Sequence, residues 1–131
     1  MKKYKAVRIF FKSRARSFQY AFRGYLYVLK TQQNAWIHLG ATIIAVLVSF
    51  WLHISKTDWI AILLVIGMVW IAEFLNTALE VIVDIASPEK HPLAKAGKDV
   101  GAAAVLIAAI VAVIVGILIL GVPFLEKISG H

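Results

Sequence analysis

The sequence predicts an all-α membrane protein, with three transmembrane helices and an N-terminal amphipathic surface helix. Three observations predict it. First, 61% of the 131 residues are hydrophobic. A soluble domain is closer to half apolar, and so short a chain has too little interior to hide the excess. Second, three stretches carry no Lys, Arg, Asp or Glu: Thr31 to Ser55, Trp59 to Ala72 and Val100 to Leu125. Third, nine of the fourteen Lys and Arg fall in the first thirty residues, and no acid occurs before Asp58. Length allows a single domain, residues 1–131.

The surface helix is expected over 1–30. Phe10, Phe11, Phe18, Phe22, Tyr25, Leu26 and Leu29 fall roughly on one side among Arg and Lys, the pattern of a helix lying in a membrane interface. The alternative is an unstructured basic tail, against which the aromatic content argues. Beside transmembrane segments, this basic run belongs on anionic lipid headgroups rather than nucleic acid. No cleaved signal peptide is expected, because the first apolar run begins only after residue 30 and no small-residue cleavage pattern follows it.

The transmembrane helices are expected at about 31–54, 58–86 and 97–122. A span needs about 20 largely apolar residues. The second stretch is long enough only if its helix continues through Glu73, Asn76, Glu80 and Asp84; the intervening apolar residues keep a helical pattern, and no Gly or Pro intervenes before Pro88. Ser55 or Thr57 is a candidate cap for this helix. Pro88 and Pro92 interrupt helix between the second and third spans. Lys and Arg concentrate at the N-terminus and around Lys90, Lys95 and Lys98, so these flanks are expected in the cytoplasm. The first loop and the C-terminus then lie outside, with Trp51 and Trp59 at the outer interface. The expected location is the bacterial cytoplasmic membrane, multi-pass.

Chemistry concentrates on the second span. At 3.6 residues per turn, Glu73, Asn76, Glu80 and Asp84 fall within about 80° of one another, along about 16 Å of helix. Ionised groups at hydrocarbon depth cost about 2–3 kcal/mol each on insertion scales. One carboxylate could be a packing accident; three with an amide on one stripe must face protein, water or a cation. Lys98 and Asp99 open the third span at the level of Glu80 and Asp84. Carboxylates that hold a hard cation through oxygen, with a lysine that meets phosphate, suit a Mg-nucleotide site. Taken alone, Lys98 also reads as a snorkelling interface lysine. Gly97, Gly101 and Ala102 to Ala104 form a small-residue face for close packing. His38 and His53 read as packing or interfacial groups, and His91 is better placed in the cytoplasmic loop. No Walker A, kinase Gly-rich loop or Rossmann fingerprint occurs. Cysteine is absent, which excludes disulfides, thiolate metal sites and a cysteine nucleophile.

These residues leave two readings open. One is an ATP-dependent lipid kinase. The other is a small oligomeric transporter or ion-conducting protein, with Glu73 as its proton or cation site. A cation pathway has little use for Lys98.

The run Ala72-Glu73-Phe74-Leu75-Asn76-Thr77-Ala78-Leu79-Glu80, with Val83-Asp84, resembles the signature E-x-x-N-[ST]-A-[IL]-E-x-x-[IV]-D of the prokaryotic diacylglycerol kinase and undecaprenol kinase family. Pro88 to Lys95, Lys98-Asp99 and Ala102 to Leu106 are similar to that family's second block, and Gly24, Lys30, Asn34, Ile37, His38 and Trp51 fit its N-terminal pattern. The resemblance covers roughly residues 18 to 120. It implies a homotrimer in the bilayer with active sites at the cytoplasmic face, built partly from neighbouring chains, that transfer the ATP γ-phosphate to a membrane lipid alcohol. It implies Glu73 as general base and Asn76 as a supporting catalytic residue. Glu80 would hold Mg2+ with ATP; Tyr20, Glu89, His91, Lys98 and Asp99 would contact nucleotide; Glu73 and Trp51 would contact the lipid. One residue departs from the pattern: Gln32 stands where the family has a second metal-binding glutamate. An amide oxygen ligates Mg2+ without charge, so either metal binding is weaker or another acid compensates. The Pro-Glu-Lys-His-Pro-Leu-Ala-Lys loop and the Asn34-x-x-x-His38 spacing look more like the undecaprenol kinase branch, with diacylglycerol open as acceptor.

Overall fold

The computed structural model describes residues 2–89 and 91–130, with side chains from residue 14 onward. Lys90 lies outside the described residues, as do the side chains of Phe10 and Phe11. The elements are α1 (Lys2–Thr31), α2 (Gln33–Leu52), α3 (Lys56–Ala86) and α4 (Pro92–Ser129), with no strand among the described residues. By length and composition α2, α3 and α4 are each able to cross a membrane. The chain divides into a unit ending at Gln33 and a unit from Asn34 onward.

In the first unit, α1 runs unbroken for 30 residues. Phe18, Phe22 and Leu26 are exposed along it. At its end the Thr31 hydroxyl donates to the Tyr27 carbonyl, and the Gln32 amide donates to the Val28 carbonyl. The second bond satisfies one of the carbonyls that the helix terminus leaves without a partner; the first is a back-bond of the hydroxyl to its own helix.

In the second unit, α3 begins where the sequence chemistry allows it to. Ser55 is its N-cap, and its hydroxyl oxygen accepts from the Asp58 amide at 3.2 Å while Asp58 Oδ2 accepts from the Ser55 amide. This reciprocal capping box satisfies two orphan donors. The helix then continues through the whole polar stripe to Ala86.

The start of α4 differs from the expected residue 97. The helix begins at Pro92, with His91 as N-cap accepting from the Leu93 amide through Nδ1 at 3.2 Å. Proline at the first helical position loses nothing, because its missing N–H would be unbonded there and its fixed φ suits the turn. Pro92 therefore opens the helix that it was expected to exclude, and the connection shrinks to 87–91. At the other end α4 passes the expected residue 122 and carries Pro123 within it, ending at Gly130 with φ 74°. Glycine takes that left-handed conformation without a Cβ penalty.

α3 and α4 form a tight antiparallel pair. A Cβ on Gly101 of α4 would collide with Asn76 Oδ1 and would lie 3.0 Å from Leu79 Cδ2 of α3. Only a bare Cα fits there. α2 meets the pair through side chains. Near one end, Trp70 Nε1 donates to Thr42 Oγ1 at 3.1 Å. Near the other, Phe50 lies 4.7 Å from Trp59 and Trp51 lies 5.9 Å from Phe124, centroid to centroid. Ile62, Val65, Val69, Val105 and Ala108 are buried between helices, while Ile60, Leu64, Ile71, Leu75, Ile107, Ile114 and Leu118 face outward. Such a surface suits lipid or neighbouring chains as its solvent.

Gly101→Ala places a methyl group against Asn76 and Leu79. We expect a loss of about 1–3 kcal/mol, typical of overpacking, read as a lower unfolding midpoint in detergent micelles. An unchanged midpoint would mean that α3 and α4 tolerate separation at this level.

Candidate functional site

The polar stripe of α3 is graded from buried to exposed. Glu73 is 1% exposed and Asn76 8%. Glu80 is half-buried and Asp84 is exposed. The order follows from the helix axis: Glu73 sits 13 residues before the end of α3, about 20 Å at 1.5 Å per residue, and Asp84 sits at the end itself.

Each member of the stripe is held by a particular neighbour. Thr77 Oγ1 donates to the Glu73 carbonyl at 2.8 Å, a bond within the helix that keeps its hydroxyl satisfied. Asn76 Nδ2 donates to Glu80 Oε1 at 3.1 Å. Gly101 leaves room for this amide, and the carboxylate of Glu80 draws its NH2. Asn76 Oδ1 is enclosed without a hydrogen-bond partner and faces the Gly101 Cα, which leaves the amide NH2 turned toward Glu80. Lys98 Nζ donates to both Asp84 oxygens, at 2.9 and 3.2 Å. Both partners are substantially exposed, so the pair adds little stability; it ties the start of α4 to the end of α3.

Glu73 has a neighbour that the motif reading did not assign. His38 Nε2 of α2 lies 3.7 Å from Glu73 Oε2, with side chains 12% and 2% exposed respectively. Helical spacing on α3 carried no sign of it, because the two residues are 35 apart in sequence. The usable signal was on α2, where His38 is the titratable residue of an otherwise apolar helix.

Beyond the stripe, an open pocket of about 710 Å3 lies where α3 ends and α4 begins. Asp84, Glu89, His91, Lys95, Lys98 and Asp99 line it with Ser87, Pro88 and Pro92. Glu89, His91, Lys98 and Asp99 are therefore brought together as a group. Trp51 is not near them: it is 13 residues along α2 from His38, about 20 Å, beside Phe124 and with Lys127 Nζ 5.7 Å over its ring. Tyr20 is exposed on α1, and Gln32 follows the end of that helix, half-buried; both belong to the first unit.

Among the described residues, no three His, Asp or Glu side chains converge into a metal cage. Mg2+ takes one or two protein carboxylates and completes its shell with water and phosphate oxygens. Glu80, which accepts from Asn76 Nδ2, is a carboxylate that could serve in this way.

Comparisons with known proteins agree with this chemistry. The prokaryotic diacylglycerol kinase family matches residues 19–120. The undecaprenol kinase of Bacillus subtilis is 39% identical over 113 residues, covering 86% of this chain and 89% of that protein. The diacylglycerol kinase of a Synechocystis species is 42% identical over 111 residues, covering 84% of this chain and 63% of that longer protein. The diacylglycerol kinase of Escherichia coli K12 is 38% identical over 95 residues, covering 67% of this chain and 78% of that protein. The match spans α2, α3 and the whole polar stripe, and by it the chain belongs to the prokaryotic diacylglycerol kinase family and is a membrane lipid kinase.

Proposed function

We propose that the chain transfers the γ-phosphate of ATP, with Mg2+, to the hydroxyl of a membrane lipid alcohol, undecaprenol or diacylglycerol, at the cytoplasmic face of the bacterial cytoplasmic membrane. The observation that carries this reading is the continuous polar line on α3, from the enclosed Glu73 to Asp84 at the rim of the charged pocket. One end of that line suits a substrate that stays in lipid. The other suits a substrate that stays in water. The reaction must occur where the two meet, and Asn76 and Glu80 lie between them.

In this reading Glu73 is the general base and accepts the proton of the lipid hydroxyl as its oxygen attacks phosphorus. Asn76 holds Glu80, and Glu80 would hold Mg2+; Gln32 is assigned to the ion separately, from its place in the family pattern. When bound, Mg2+ would neutralise charge on the transferring phosphoryl group, which is most of what this chemistry asks of a protein. Lys98 is positioned to meet phosphate as a point charge, and Asp84 keeps its ammonium at the pocket wall. Glu89, His91 and Asp99 line the same pocket and are assigned to nucleotide, with Tyr20 on α1. Trp51, distant from Glu73, is assigned to the far end of the lipid rather than its hydroxyl. The N-terminus and the loop before α4 are assigned to the cytoplasm from their Lys and Arg excess. A homotrimer is the proposed working unit, supported by the many outward apolar residues of α2, α3 and α4. The transport alternative is set aside, since the chain belongs to a lipid kinase family.

Purified protein in micelles, given γ-³²P-ATP with undecaprenol or diacylglycerol, is expected to label at least one lipid. Glu73→Gln should lower the rate by about 10²–10⁴-fold, the usual weight of a general base, with the helical content unchanged. No label in either lipid would remove the proposed acceptor class. Chelation of Mg2+ should abolish transfer and its return restore it, with Glu80→Gln raising the Mg2+ concentration needed for half-maximal rate. Lys98→Met should raise the KM for ATP several-fold and leave the KM for lipid unchanged; equal effects on both would place Lys98 outside the nucleotide site.

A further inference from the structure

The buried contact between His38 and Glu73 has a geometry that packing alone does not require. His38 Nε2 is enclosed and makes no hydrogen bond, and it lies 3.7 Å from Glu73 Oε2. A buried ring nitrogen without a partner forfeits the bond it would make in water. The ring is nevertheless held in place. Trp70 meets it edge to face, with centroids 6.5 Å apart, and Trp70 is itself tied to Thr42 through Nε1. His38 and Thr42 are one turn apart on α2; Trp70 and Glu73 are nearly one turn apart on α3. The four residues form a clamp across the two helices, and its imidazole nitrogen stands just short of bonding distance from the carboxylate.

The clamp also stands at the end of an apolar groove. A cavity of about 620 Å3 runs along α2, α3 and α4, from Ile37, His38 and Val69 at one end to Phe124 at the other. Apart from Thr42, which already accepts from Trp70, His38 is the polar side chain on its wall. A hydrocarbon chain lying along that wall would bring its polar head to His38, whose Nε2 adjoins Glu73.

We propose that His38 is a positioning residue for phosphoryl transfer. Its Nε2–H closes on Glu73 Oε2 when the lipid hydroxyl arrives, and this turns the other carboxylate oxygen toward the hydroxyl proton. The inference rests on the reading of Glu73 as general base. In the step itself, the lipid oxygen forms the new bond to phosphorus, the bond from phosphorus to the ADP oxygen breaks, and the hydroxyl proton passes to Glu73. His38 exchanges no proton in that step. It restricts the carboxylate to the orientation that accepts one, and a fixed near-attack geometry of this kind is worth large factors in rate.

The test compares His38→Leu, His38→Gln, Glu73→Gln and the double variant His38→Leu/Glu73→Gln in the γ-³²P assay, with kcat, both KM values and the unfolding midpoint for each. His38→Leu should lower kcat by about 100-fold with the KM for ATP unchanged. His38→Gln, which returns a side-chain N–H donor near the Nε2 position, should recover kcat to within about tenfold of the native protein. The double variant should be no slower than Glu73→Gln, because residues that act as a unit are non-additive. His38→Leu with native kcat, or His38→Gln as slow as His38→Leu at an equal midpoint, would overturn the role of His38 alone. A loss that tracks the midpoint in all His38 variants would reduce the contact to packing and overturn it equally. Native activity in Glu73→Gln would overturn the base assignment and this inference with it, and so distinguishes the two failures.

Discussion

The membrane supplies no water to a carboxylate at depth, and the placement of Glu73 follows from that constraint. A charge or a dipole there must be met by protein. The side chain of Glu73 is enclosed almost completely, with the His38 ring of another helix beside it. α2 is brought to α3 at this level by Trp70 and Thr42 as well. The buried acid and the helix contact around it are thus one feature: Glu73 needs a neighbour from α2, and the hydrogen bond from Trp70 to Thr42 holds α2 at the height where His38 can be that neighbour.

A second constraint comes from the distance between α3 and α4. Van der Waals packing, not hydrophobic exclusion, holds helices together where the surroundings are as apolar as the side chains. Close approach then depends on small residues, and Gly101 provides it opposite Asn76. The same glycine makes room for the Asn76 amide, whose NH2 donates to the Glu80 carboxylate. Packing and chemistry are coupled here through a missing Cβ.

Exposure rises along α3 from Glu73 to Asp84. At its enclosed end the walls are apolar, and at its open end Lys98, Asp84, Asp99 and His91 surround a pocket broad enough for a polar molecule. A helix that crosses from one medium to the other provides this order through its length alone. The chain belongs to a family of lipid kinases, whose chemistry requires one partner from each medium.

Much of this was legible in the sequence. Two of the three apolar stretches meet the minimum length that hydrocarbon thickness sets, and the second meets it because its helix continues through the polar stripe. The 3.6-residue period placed Glu73, Asn76, Glu80 and Asp84 on one face of α3, since helical spacing is local. Ser55 declared the start of α3 through its own side chain. The start of α4 was misread, because the sequence shows where proline occurs but not whether it occupies the first turn, where it is harmless. Contacts between helices were decided by the tertiary structure alone. The meeting of His38 with Glu73 depends on how far α2 is rotated and raised against α3, and Trp70 and Thr42 decide that through space. The space for the Asn76 side chain depends on Gly101, 25 residues away. Residues distant in the chain share no periodicity, so only packing brings them within reach of one another.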